Sequence, residues 1–402
     1  MTRILFLTSD LPFPPRSGGR IKSWKLLSYL CQHYDVGLAT PLKQDDDRHL
    51  AELRSRAPLV ELHAERVESS RSVASLVRSY QHGKTLNEYR TYSPQLAATI
   101  EACADSYDAI FVDHYDAFQY VPEGYRGTTL LHEHNAEYVI WERFASLQRN
   151  PVMRLAARLE SARIRARERE ICHRADQVFA APADIARLAD LGIQRSRFTP
   201  TYHLGDTALL ERPTLDFDET EASLLYFGTL SWEANADGLL WFLRHCWPLV
   251  KKRYVTATFH IAGSSPSAKL ERAVDAAPDV ALLGFVDDLE PWFRRSRVFV
   301  CPILFGSGMK VKLLEAMYRG IPSVVTTTSI ESISVRPMVD VAVADEPAHF
   351  AELVGTLLSD RTTWERLRDN SRALARARYQ WGPILESTRA EIESCLQARR
   401  AA

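Results

Sequence analysis

The chain lacks the cysteine spacings of a metal or redox site. Its six cysteines, Cys31, Cys103, Cys172, Cys246, Cys301 and Cys395, are scattered, and no two form a Cys-x-x-Cys pair. That pattern excludes a zinc ribbon or thioredoxin-like motif and fits buried, reduced thiols. An excess of either charge is also missing: 50 Lys and Arg face 51 Asp and Glu, for a net charge of −1. Bulk electrostatics therefore favour neither nucleic acid nor an anionic surface. No apolar run is long enough to span a bilayer. The opening MTRILFLTSD has a short apolar run ended by Ser9 and Asp10, without a signal peptide's long core and small-residue cleavage site. The expectation is a cytoplasmic protein. The glycines after the first apolar run do not form G-x-G-x-x-G, and no ribose-binding acid stands at the expected later strand end, which disfavours a dinucleotide fold.

What is present is a chain of 402 residues, 46% apolar, without a low-complexity tract. Two domains of roughly 150–200 residues follow from that length. Ile4–Thr8 reads as a buried parallel strand. It runs into LPFPPRSGGR, where Gly18-Gly19 opens a helix carried by Ile21, Trp24, Leu27 and Leu30. Strand, glycine turn and helix together present bare N–H groups to an anion. Val36–Thr40 is a second strand, and 44–92 is polar and Arg-rich with helical patches. Asp45-Asp46-Asp47 and Asp216-Phe217-Asp218 each contain the Asp-x-Asp pair that can hold a divalent metal. Neither follows an apolar strand, so both read as solvated acidic loops.

Ala109–Val112 and Thr129–Leu131 read as strands. Their carboxyl ends carry Asp113-His114-Tyr115 and His132-Glu133-His134-Asn135-Ala136-Glu137, where ligands bind in open α/β sheets. His114 is the candidate contact of a substrate pocket. His132 and His134, two apart on a strand, are expected to face opposite ways and not to share a metal. From Arg143 to Arg174 the sequence holds nine Arg and a helical apolar stripe. Two readings stand open: a solvated face with Glu160–Arg163 and Arg167–Glu170 pairs, or a basic amphipathic helix on anionic lipid. Gln177–Ala180 is a strand, and the acidic segment Asp206–Ala222 reads as the interdomain linker.

The second half repeats a strand followed by small residues: Leu224–Phe227 with Gly228, Phe259–Ala262 with Gly263, Ala281–Leu283 with Gly284-Phe285-Val286, and Val298–Cys301 with Pro302. Alternation with helices implies a parallel, doubly wound sheet. The densest chemistry is FGSGMKVKLLEAMYRGIP, Phe305–Pro322. It reads as a glycine loop entering a helix. Lys310 and Lys312 in the first turn oppose the helix dipole, a conflict that a bound diphosphate would remove. Lys312 and Glu315 share a face with Gly308 and Arg319. They form either a ligand site, with Glu315 accepting ribose hydroxyls, or a surface ion-pair ladder.

Tyr226-Phe227-Gly228, Asn235, Ile261-Ala262-Gly263, Gly284-Phe285-Val286, Gly306–Ala316 and Gly320-Ile321-Pro322, with Leu5–Ser9 and Gly18-Gly19 in the first half, resemble the retaining glycosyltransferases of family 4, also called group 1. The resemblance implies an α/β chain of two Rossmann-like, doubly wound domains facing across a cleft, the GT-B fold, with the C-terminal helix crossing back. The expected division is 1–205 as the acceptor-side domain, 206–376 as the nucleotide-sugar domain and 377–402 as the returning helix. The implied activity moves a sugar from a nucleotide-diphosphate sugar to an acceptor hydroxyl, with retention and without an obligatory metal or cofactor, in bacterial polysaccharide, glycolipid or glycoconjugate synthesis. His114, Lys312 and Glu315 take the catalytic roles. The donor site comprises Gly18, Gly19, Gly228, Gly284, Phe285, Val286, Ser307, Gly308, Met309, Lys310, Lys312, Leu313 and Glu315. Partners are the donor, a glycan or lipid-linked acceptor and, through the Arg-rich helix, the inner membrane surface; nucleic acid is not expected. Two departures stand out. Ser307 replaces a Glu that often lies seven residues ahead of the helix Glu, and no Arg or Lys occurs within Thr229–Asp237, where Lys310 is the candidate substitute. The alternatives are a non-catalytic nucleotide-sugar-binding partner and a GT-B-like epimerase using Asp113, Glu133 or Glu137.

Overall fold

A computed structural model describes residues 2–15, 18–43, 45–67, 72–148, 150–306 and 308–401. Arg16 and Ser17 of the Pro-rich loop, and Ser307, lie outside these described residues. The chain divides into two compact units, Met1–His203 with Gly382–Ala402, and Leu204–Trp381. The final helix, Trp381–Ala401, therefore returns to the first unit from Gly382 onward.

The first unit is built on β1 (Arg3–Thr8), β2 (Asp35–Leu42), β3 (Glu61–Arg66), β4 (Ala109–Asp113), β5 (Thr128–His132), β6 (Gln177–Ala180) and β7 (Phe198–Pro200). They pair in the order β3-β2-β1-β4-β5-β6-β7, every pair parallel. The strand order reverses between β1 and β4, which marks the switch point of a doubly wound sheet. β4 and β5 are buried at every position because helices cover both faces. Leu5, Ile110, Val112, Leu131 and Val178 pack in one cluster with Ile164 and Ile171 of the helix Pro151–Arg174. Each such side chain contributes roughly 1.5–3 kcal/mol by leaving water.

The second unit holds β8 (Glu221–Phe227), β9 (Thr258–Ala262), β10 (Val280–Gly284), β11 (Ser296–Cys301), β12 (Ser323–Val325) and β13 (Ala342–Val343). Their order is β10-β9-β8-β11-β12-β13, again parallel, with the reversal between β8 and β11. Rings close its core: Phe227 stacks edge-on with Phe293 at 5.5 Å, and Phe242 meets Phe259 at 5.2 Å.

Four sequence expectations are corrected. The polar segment 44–92 contains β3, an edge strand whose side chains stay half exposed, and a short strand, β7, follows at Phe198. The helix Gly18–Leu30 buries Lys22, Ser23, Leu26, Leu27 and Leu30. Its inner face is thus turned from Ile21 and Trp24 toward a polar pair. The Arg-rich stretch is two helices, Glu137–Leu147 and Pro151–Arg174, packed on each other. Asp46, expected in a solvated loop, is buried against Arg20 at 3.3 Å. Among the described residues, no helix is long and apolar enough to cross a membrane.

Candidate functional site

In the second unit, β11 ends at Cys301 and the chain turns into the helix Val311–Arg319 beside the switch point. Gly306 (φ 122°) and Gly308 (φ 72°) hold left-handed backbone that a side chain would strain. No side chain caps the helix start at Lys310. The N–H groups of Leu313 and Leu314 both reach Lys310 O, at 2.8 and 3.3 Å. Among the described residues, those of Val311 and Lys312 have no acceptor.

Lys312 Nζ donates to Tyr226 OH at 2.7 Å and to Asn235 Oδ1 at 2.5 Å. Asn235 Nδ2 donates in turn to Thr229 O at 2.7 Å, which fixes the amide with its oxygen toward the ammonium. Room for that ammonium exists because residue 228 is glycine: a Cβ there would stand 2.7 Å from Lys312 Nζ. Glu315 Oε1 accepts from Asp206 N at 3.3 Å, and a Cβ on Gly205 would stand 2.4 Å from Glu315 Cγ. Trp381 Nε1 pins Gly205 by donating to its carbonyl at 3.0 Å. Burial pushes Lys312 down to about 8 and Glu315 up to about 7. Both groups thus titrate close to neutral pH.

The ion-pair ladder does not form. Arg319 turns away to Glu290, with Nη2 2.8 Å from Oε1, and its Nη1 donates to Pro213 O at 2.8 Å. Lys312 and Glu315 are left facing the strand ends. Gly228, Gly263 and Gly284 stand side by side there: Gly228 N donates to Ala262 O at 3.0 Å and Gly263 N to Gly284 O at 2.7 Å. Gly263 is dictated by this approach, since a Cβ would lie 2.0 Å from Gly228 O. Phe285, next along, is exposed, and Val286 is half-buried. Met309 and Leu313 are buried, and Lys310 Nζ turns back to Gly308 O at 2.8 Å. Ser307 lies outside the described residues.

The first unit carries a second constellation. Register places Thr8, Asp113 and His132 in one row across β1, β4 and β5. Asp113 is fully buried and accepts from His132 Nδ1 at 2.6 Å, His134 Nε2 at 2.8 Å, Ser23 Oγ at 2.5 Å and Thr8 Oγ1 at 3.3 Å. His203 Nε2 donates to His134 Nδ1 at 3.1 Å, so His134 relays a bond from His203 to the carboxylate. This overturns the expectation that His132 and His134 face apart. Residues two apart along a strand share a face, so strand alternation carried past the end of β5 at His132 puts both rings on the Asp113 side. The nitrogens and the carboxylate oxygen lie within 4.8 Å of one another and are of metal-ligating type. The hydrogen bonds described already satisfy Asp113.

His114 connects this network to open space. Its φ of 84° is uncommon for a side-chain-bearing residue and places its ring flat on His134, centroids 3.6 Å apart. A cavity of about 210 Å³ opens there, lined by Asp10, Gly19, Arg20, His114, Glu133 and His134 among others. Glu133 is only 1% exposed, and its Oε1 has no hydrogen-bond partner. Burial, then the charges of Glu168 and Glu137, push its carboxyl well above the usual range. Gly18 and Gly19 open the helix beside this cavity. Ser23, which lines it, and the buried Lys22 beside it in sequence were not foreseen. The signal was a polar pair on a helix whose other inward positions are leucines.

The buried histidines set an acid limit on stability. Burial pushes His132 and His134 down to about 4, whereas unfolded histidine titrates near 6.5. Between these values the unfolded chain binds more protons, so stability falls with falling pH, by about 1.4 kcal/mol per pH unit for each group. The melting temperature is expected to drop steadily from about pH 6.5 to 4. A flat profile in calorimetry across that range would contradict the neutral-histidine network.

Comparison with known proteins places this geometry. Residues 221–360 match the family described as "Glycosyl transferases group 1". A Klebsiella pneumoniae protein, an uncharacterized 44.6 kDa product of the cps region, is 21% identical over 366 residues, covering 88% of this chain and 90% of its own. Among solved structures, Anabaena HepE in complex with UDP and glucose superposes with a TM-score of 0.68 at 16% identity, over 98% of this chain and 100% of that one. Sucrose-phosphate synthase from Thermosynechococcus elongatus gives 0.70 at 15%, over 99% and 100%. A mutant of S. aureus TarM in complex with fondaparinux, alpha-GlcNAc-glycerol and UDP gives 0.65 at 10%, over 96% and 99%. Residues 221–360, then, match the group 1 glycosyltransferase family, and the chain has the GT-B fold of two Rossmann-like domains seen in these structures.

Proposed function

We propose that this protein transfers a sugar from a nucleotide-diphosphate sugar to an acceptor hydroxyl, with retention of anomeric configuration. The observation that carries the proposal is the pairing of Lys312 and Glu315 on one face of an uncapped helix at the β8/β11 switch point. Lys312 and the first-turn N–H groups hold the diphosphate, and Glu315 accepts the ribose hydroxyls. As the glycosidic C–O bond to the diphosphate breaks, the acceptor oxygen bonds to the same face of the sugar carbon. Its proton passes to the leaving phosphate oxygen. Charge builds on the diphosphate, where Lys312 stabilises it. The first-unit cavity takes the acceptor, with His114 at its contact. Uridine donors come first for testing, because HepE and TarM were solved with UDP. The likeness to a protein of the Klebsiella cps region fits bacterial polysaccharide, glycolipid or glycoconjugate synthesis. Its place would be the cytoplasm.

A thermal-shift panel of UDP-, GDP- and ADP-sugars tests the donor reading, since a ligand of the native state raises the melting temperature, by roughly 2.7 kcal/mol of stability at a hundredfold excess over Kd. No shift with any of them would overturn it. A pH profile follows from the same residues. Donor capture needs Glu315 ionised and Lys312 charged. With the two near 7 and 8, kcat/KM is expected to peak between them and to fall on both sides. Glu315→Gln should remove the acid limb and leave the alkaline one. An acid limb unchanged in that variant would assign it elsewhere.

A further inference from the structure

The turn between the helices Glu137–Leu147 and Pro151–Arg174 stands clear of the core. Glu168, far along the second helix, caps the first by accepting from Glu137 N at 2.6 Å and Tyr138 N at 3.1 Å. The two helices are therefore antiparallel, and their turn is a hairpin tip. At that tip large apolar side chains face water. Val152 is 72% exposed and Leu155 59%, with Leu147, Met153 and Leu159 also exposed. Val152 to Leu155 are consecutive, so at about 100° per residue they point to every side of the helix. Burial resumes only at Ala157. The freely exposed start of the helix is about 9 Å long. Asn150 Oδ1 accepts from Val152 N at 2.9 Å and Met153 N at 3.3 Å, so the tip is a finished helix start.

Charge decides what covers it. Between Arg143 and Leu159 the sequence has no Asp or Glu. Arg154 and Arg158 are exposed among the apolar residues. A partner protein seated in a groove would cover one face of the helix. Apolar side chains on all sides, interleaved with arginine, match immersion of the whole tip in a headgroup layer, where apolar groups sink roughly 5–10 Å and arginines meet lipid phosphates. We propose that this hairpin tip is a membrane anchor that dips into bilayers of anionic lipid. The proposal stands apart from the donor reading, which rests on the other unit.

The test is sedimentation of the full chain with vesicles of phosphatidylcholine alone or mixed with phosphatidylglycerol. Binding is expected to the mixed vesicles, weakened by salt. Val152→Ser with Leu155→Ser, and separately Arg154→Glu with Arg158→Glu, should each reduce it about tenfold or more. All four positions are exposed, so melting temperature and any donor-induced shift should stay as in the parent chain. Absence of binding to anionic vesicles, or binding that neither variant weakens, overturns the proposal. So does a dimer in light scattering that both variants dissociate without vesicle binding, which would assign the tip to a second copy of the chain.

Discussion

Lys312→Ala is expected to lower kcat/KM for the donor about 10²–10³-fold, or about 2.7–4 kcal/mol, the usual loss when a preorganised donor to a developing anion is removed. Three features make the effect large. The ammonium is aimed by Tyr226 OH and Asn235 Oδ1 rather than by a carboxylate, so its charge is oriented but not neutralised. The glycine at 228 leaves it room. The helix start behind it adds N–H groups of the same sign. The substitution also leaves a phenol and an amide without their shared partner, at a cost of about 1–3 kcal/mol in stability. Chemical denaturation separates the two effects. A kinetic loss that merely follows the fraction unfolded would make Lys312 structural.

Asp113→Asn is expected to destabilise the protein by about 1–3 kcal/mol for each buried donor it leaves without an acceptor. Asp113 receives bonds from four side chains on three segments of the first unit. The asparagine amide would turn an NH2 group toward hydroxyls and imidazoles that now donate, so one or more must turn away. The pH dependence has a definite sign. Burial alone would raise Asp113, but His134, His114 and His132 beside it hold it well below the ordinary carboxylate range. Its stabilisation is thus present above the unfolded value near 3.9 and is lost as pH falls below it. The variant should therefore lose its deficit relative to the parent chain in strong acid. Urea denaturation at neutral pH measures the difference, and equal midpoints for parent and variant would contradict the network's role.

The fold was legible where strands are buried on both faces. Ile4–Thr8, Leu224–Phe227 and Val298–Cys301 are continuous apolar runs because helices cover both sides of a parallel sheet. β3 was illegible because it is an edge strand whose side chains go to polar partners: Glu61 takes Arg3 at 2.9 Å and the Tyr107 hydroxyl at 2.9 Å. The Lys312 and Glu315 spacing was legible as a shared helix face. Their neighbours were not, because Arg319 finds Glu290 through the tertiary fold, 29 positions away. The histidines were misjudged because period-2 alternation puts residues two apart on the same face of a strand, not on opposite ones. Lys22 and Ser23 were hidden by a helix whose leucines alone specify its inner face.

Titration calorimetry with UDP and with uridine tests the central claim most directly, that the helix at Lys312 holds a nucleotide diphosphate. UDP should bind at least about a hundredfold more tightly than uridine, since charge-assisted contacts to the diphosphate contribute about 1.5–3 kcal/mol each. In the Lys312→Ala protein that advantage should shrink by about tenfold or more. Equal affinity for UDP and uridine, or an advantage that survives the loss of Lys312, would contradict the account.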